Sequence, residues 1–121
     1  MKKINIKNQF RRIQDYWSPK IIGELNGQYV KIAKFKGEFI WHKHDNEDEL
    51  FLVIKGELLI ELEGETIKLK KNECIIIPKG IKHRPIAHKE TEVLLFEPKS
   101  TINTGDKKSH LTKKNLEMLD K

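Results

Sequence analysis

The chain has 121 residues, 35% of them charged, with 24 lysines and arginines against 18 acidic residues and a formal charge of +6. That length accommodates one hydrophobic core rather than two, and no apolar run is long enough to cross a bilayer as a helix. The single cysteine, Cys74, excludes an intrachain disulfide framework.

From the N-terminus, Asn8 stands where a cap opens a short helix, with Phe10, Ile13 and Trp17 at helical spacing before Ser18-Pro19. That stripe reads as a packing face. Asn26-Gly27 is the strongest hairpin signal in the chain, and Gln28–Phe35 follows it as a strand. Further strands are expected at Glu49–Ile54, Glu57–Glu63, Glu65–Leu69 and Glu73–Pro78, then near His83–His88 and Glu92–Glu97. Turns fall at Gly56, Glu63-Gly64, Lys71-Asn72 and Lys79-Gly80. Short strands at such regular intervals predict an antiparallel sandwich or barrel rather than βαβ units. Cys74 lies in the run Glu73–Ile77 and reads as a buried small hydrophobe. Beyond Gly105-Asp106 the chain turns polar, and Leu111, Leu116 and Leu119 are placed to line a short C-terminal helix. The organisation expected is an N-terminal segment (1–27) packing on a barrel (28–100), followed by a polar tail (101–121).

The basic balance permits nucleic-acid binding, but the pattern argues against it. Lysines are dispersed among glutamates, and the lysine-dense ends lack interleaved aromatics for base stacking. Only Arg11, Arg12 and Arg84 offer the planar fork that suits phosphate. Solvated faces and tails explain the charge more simply. Neither nucleic acid nor membrane is expected as a partner, and the first residues lack the apolar stretch of a signal peptide, so the expected location is the cytoplasm.

Chemistry concentrates in the middle. Side chains alternate along a strand, so His42 and His44 are expected on one strand face, a pair of nitrogen donors for a transition metal. Glu49 has the wrong parity for the same straight strand, but the polar stretch Asp45–Asp48 allows the register to reset. Glu49 then opens Leu50–Ile54 and places a carboxylate at the mouth of that strand. His83 follows the rigid turn Pro78-Lys79-Gly80. Each of these residues alone reads as an ordinary surface or strand side chain. Their joint occurrence, with a glycine or proline turn marking each segment, favours a metal site. If Glu49 faces inward, Phe51 and Val53 do too and line the pocket, while Leu50, Leu52 and Ile54 face outward. A strand apolar on both faces is buried on both. The second sheet's edge, the N-terminal segment with Trp17 or a partner subunit would cover the outer one.

The pattern His42-x-His44-x4-Glu49-x6-Gly56, followed by Pro78-x-Gly80-x2-His83, resembles the two sequence motifs of the cupins. More narrowly, Trp41 to Phe51, and Glu97-Pro98 through Asn103-Thr104-Gly105-Asp106, are similar to small single-domain bacterial cupins, a likeness running from about Trp17 to Asp106. The resemblance implies an all-β double-stranded β-helix (jelly-roll) barrel with His42, His44, Glu49 and His83 as metal ligands, and a homodimer. The chain departs from the usual motifs in three places. Gly37 and His42 enclose four residues instead of five, Asn72 replaces a glycine, and Ala87 replaces a frequent asparagine. None removes a ligand, and asparagine tolerates the left-handed turn that glycine would supply.

Three imidazoles and a carboxylate suit manganese, iron, nickel, cobalt or zinc. The function expected is a small metal-dependent enzyme, dioxygenase- or isomerase-like, acting on an oxygenated small molecule. The alternative is a non-catalytic cupin that binds metal or a small ligand for storage or sensing. No general acid or base is evident, since His88 has the opposite parity to His83 and His110 lies in the polar tail. A length of 121 residues leaves no room for an output domain, which favours an enzyme or a stand-alone binder over a regulator.

Overall fold

Lys31, Ala33 and Phe35 point to one side of a long strand and Ile32 to the other, yet all four are buried. A strand covered on both faces needs two layers of packing, and the chain supplies them from different segments. In the computed structural model, which describes residues 1–119, a helix α1 (Ile6–Phe10) precedes β1 (Lys20–Leu25) and β2 (Gln28–Glu38). Then come β3 (Glu49–Lys55), β4 (Leu58–Leu62), β5 (Glu65–Leu69), β6 (Cys74–Ile77) and β7 (His83–Pro98). The strands pair antiparallel in the order β1-β2-β7-β3-β6, with β4 pairing both β5 and β7. The result is an all-β jelly roll.

β7 organises the site. Its first residues, His83–Ile86, pair with β4, and its later ones, Glu92–Phe96, pair with β3. Between them β2 shifts register from Gly37↔Ala87 to Phe35↔Thr91, leaving His88–Glu90 as a corner. Such an irregularity bends a strand and increases its twist. The bend lets side chains from both ends of β7, His83 and Glu97, reach Glu49 at the start of β3.

Two apolar clusters result from the alternation. The inner one includes Trp17, Phe35, Phe39, Phe51, Val53 and Leu95. The outer one joins Phe10, Ile13, Ile22, Ile32 and Leu119, with Ile54 and Leu94 packed against it. The outward face of β3 is therefore covered in part by the chain's own ends.

Several expectations need correction. Asn5 caps α1 by accepting a hydrogen bond from the Asn8 amide at 2.9 Å, so Asn8 lies inside the helix. Phe10, Ile13 and Trp17 do not form one helical face. The helix ends at Phe10, Phe10 and Ile13 pack in the outer cluster, and Trp17 turns into the inner one with a left-handed φ of 57°. No C-terminal helix forms among the described residues. Instead the Leu119 amide donates to the Ile21 carbonyl, and the Ile21 amide to Glu117, so the tail runs along β1. The last two residues of the expected 101–121 tail lie outside the described residues. Cys74 is exposed, because β6 forms an edge of the sheet. The hairpin at Asn26-Gly27 forms as expected, with φ of 50° and 77°, the paired left-handed conformation that matches strand twist. Asn72 adopts the left-handed turn at φ 69°.

Candidate metal centre

His42 and His44 do not share a strand. His42 forms a single bridge with His83, and His44 lies outside any strand. Their spacing still places both on the inner side, with His42 2% and His44 3% exposed. Glu49 and His83 are buried with them, and one ligand atom from each of the four residues lies within 4.8 Å of all the others.

Hydrogen bonds orient two of the rings. His42 Nδ1 lies 2.9 Å from the Ile40 carbonyl and His83 Nδ1 2.9 Å from that of Ile81. A carbonyl only accepts, so each Nδ1 carries the proton and each Nε2 keeps its lone pair. Glu49 Oε1 lies 3.3 Å from His44 Nε2 and 3.4 Å from His83 Nε2. At that spacing and aim these atoms have no hydrogen-bond partner. The same is true of His44 Nδ1. An unpaired buried polar atom costs about 1–3 kcal/mol, and here several face one point. Nitrogen and carboxylate donors of this kind fit a divalent transition metal.

Residues 28–99 match the cupin domain, well over half of the chain. The chain belongs to the cupin family. This cupin is 41% identical over 87 residues to the uncharacterised protein YdbB of Bacillus subtilis, covering 63% of the chain and 77% of that relative. A crystal structure of a cupin-2 domain protein from Shewanella frigidimarina superposes with a TM-score of 0.78 at 39% identity, over 78% of this chain and 93% of that one. The tetracenomycin polyketide synthase protein TcmJ of Streptomyces glaucescens is 28% identical over 68 residues. The match takes in 55% of this chain but only 46% of TcmJ.

The cupin's cavity opens beside the four residues. Trp17, Phe35, Phe39 and Phe51 wall it, and His42, Glu49, Glu97 and Asn103 reach it. Trp17 stacks on Phe35 and Phe39 with ring centroids 4.3 and 4.8 Å apart, and its indole donates to the Lys36 carbonyl. The space left for solvent is about 30 Å³, enough for two or three waters at roughly 10–15 Å³ each. Phe51 lines this cavity, and Val53, two residues further along β3, is fully buried in the inner cluster.

Two further residues escaped the sequence reading. Lys31 Nζ donates to Glu97 Oε1 at 2.8 Å, and both side chains are 2% exposed. Glu97 faces Glu49 across the cavity floor. Burial and the negative Glu49 raise the Glu97 carboxyl well above its usual range, with Lys31 opposing. Burial pushes Glu49 upward as well, but Glu97, His44 and His83 overcome it and hold Glu49 well below the ordinary carboxylate range. Of the two carboxyls, Glu97 is therefore the more readily protonated, and Glu49 is the one that holds its charge. The alternation Thr91-x-Val93-x-Leu95-x-Glu97 carried a signal for Glu97, since its three apolar-side companions are all buried. Nothing local identified Lys31 as its partner.

Burial, reinforced by His83, pushes the His42 imidazole down from 6.5 to about 4. Its folded value lies below its unfolded one, so its contribution to stability is complete above about 6.5 and is lost as pH falls towards 4. The amount is about 3 kcal/mol. His44 works in the opposite sense. Burial lowers it, but the Glu49 carboxylate outweighs burial and raises it, so its contribution holds on the acid side and fades as pH rises. In metal-free protein, urea unfolding midpoints should fall between pH 7 and pH 5, and His42→Leu should flatten that fall. A variant as acid-sensitive as the wild type would contradict this assignment.

Proposed function

We propose that this cupin binds a divalent metal through His42, His44, Glu49 and His83 and acts on an oxygenated small molecule as a dioxygenase- or isomerase-like enzyme. The observation that carries the reading is the convergence of buried donor atoms without protein partners beside a cavity. Manganese, iron, nickel, cobalt or zinc bound there would polarise a ligand oxygen or, as iron, handle O₂. The chain's own residues set the conditions. Trp17, Phe35, Phe39 and Phe51 exclude water from one side of the cavity. Glu97, the more readily protonated carboxyl of the pair, is the group placed to exchange a proton with a ligand there. The likeness to a polyketide synthase protein agrees with a substrate rich in oxygen.

The small free space supports a second reading, a cupin that holds metal or a small ligand without turnover. The test is metal analysis of protein purified without added metal, followed by turnover screens. Iron under O₂ would be compared with manganese or zinc under nitrogen, using small hydroxylated and carbonyl compounds. Metal-loaded protein silent in every screen would favour the binder, and protein without metal affinity would end both readings. The same proposal places the cupin in the cytoplasm and pairs two copies across the outer face of β6 and β3. There Ile76 is 61% exposed opposite Leu50. A monomeric mass in solution would exclude that pairing.

A further inference from the structure

The geometry points to Asp106, on the turn that follows the barrel, as the positioning residue for His44, an inference that rests on the metal reading above. His42 and His83 are fixed twice over. Each ring donates to a nearby carbonyl, and their backbones exchange hydrogen bonds of 3.0 and 2.9 Å. His44 has neither support. Both of its ring nitrogens lack partners, and it stands outside the sheet in the segment between β2 and β3. Its placement is left to the backbone around it.

That backbone is held from two sides. The Gly80 amide donates to the His44 carbonyl at 2.7 Å. On the other side the Lys43 amide donates to Asp106 Oδ1 at 3.0 Å, and the Asp106 amide returns a bond of 3.0 Å to the Lys43 carbonyl. One aspartate thus satisfies both polar groups of the residue between the two histidines, doing for Lys43 what a strand partner would do in a ladder. Gly105 shows how close the turn lies. A β-carbon there would overlap the Lys43 carbonyl oxygen and come within 3.1 Å of the His42 ring.

The turn is itself anchored. Thr104 is fully buried, and its hydroxyl donates to the Lys107 carbonyl at 2.7 Å. Asn103, on the cavity wall, accepts from the Lys113 amide and donates to the Leu111 carbonyl. The turn lies beyond the residues that match the cupin domain, so the donor set sits within the domain and its alignment depends on the segment after it. Partners that orient metal ligands typically contribute 10–100-fold to affinity. Asp106 acts through solvent-accessible backbone bonds, so the low end applies.

The test uses cobalt as probe on the full chain, with affinity measured by chelator competition and geometry by the visible absorption of the bound ion. Asp106→Ala should weaken cobalt binding about tenfold and alter the absorption band. Asp106→Asn, which keeps an oxygen acceptor for the Lys43 amide, should restore both to within about twofold. Far-UV circular dichroism of each metal-free variant checks that the fold is retained. If Asp106→Ala matches the wild type in affinity and spectrum, the positioning role is wrong. Failure of Asp106→Asn to rescue would assign the effect to charge instead of position and would likewise overturn it. Wild-type protein that binds no cobalt would remove the metal reading itself, an outcome distinct from a wild type and variant that bind alike.

Discussion

Alanine at both His42 and His44 is expected to weaken divalent-metal binding by more than about 100-fold, beyond what loss of an orienting partner costs. The two imidazoles supply half of the converging donors, and the remaining Glu49 and His83 cannot enclose an ion. Stability should report the same loss. Metal at about 1,000 times its dissociation constant adds about 4 kcal/mol to a protein that binds it only when folded. The wild type should therefore gain that much resistance to urea on metal addition, and the double variant almost none. In the absence of metal the two proteins should differ less, because the substitution deletes two of the unpaired buried atoms around the site while leaving a void in their place. Calorimetric titration and urea unfolding with and without metal measure both effects. Equal affinity in the two proteins would show that these histidines are not ligands.

Lys31→Ala is expected to destabilise the fold by about 3–5 kcal/mol, the cost of removing one partner from a buried ion pair. Lys31 and Glu97 are each 2% exposed, so solvent cannot replace the lost ammonium. The consequence extends to Glu49, because Glu49 and Glu97 face each other and Lys31 balances the negative charge they share. Replacing both members of the pair, as Lys31→Met with Glu97→Leu, should recover most of that stability, since an apolar pair of similar volume is often neutral or better. Urea unfolding of the two variants at neutral pH distinguishes these outcomes. A single variant within about 1 kcal/mol of the wild type would mean that the pair contributes little.

Much of the site was legible because period-two alternation is a local property. Glu49, Phe51 and Val53 follow from parity along one strand, and all three are buried as that parity requires. His42 and His44 kept the same side although the strand expected around them does not form, since an extended segment alternates with or without a ladder. Cys74 and Ile76 show where such reading fails. An apolar run does not reveal that its strand ends up at an edge, and both residues are exposed there. The leucines at 111, 116 and 119 have similar composition to a helical stripe. Leu111 packs instead on the inner cluster and Leu119 on the outer one, because docking against two surfaces buried them without a helix.

The sequence by itself determined the jelly-roll strands, the Asn26-Gly27 hairpin and the four candidate ligands, since each rests on residues close along the chain or on a motif of fixed spacing. Tertiary structure alone decided that Lys31 meets Glu97, 66 residues away, that Trp17 walls the cavity and that Asp106 holds the peptide between His42 and His44. Those contacts depend on the corner in β7 and on how the two ends of the chain dock against the sheet. Such long-range register is set by the closure of the whole fold, and no local period encodes it.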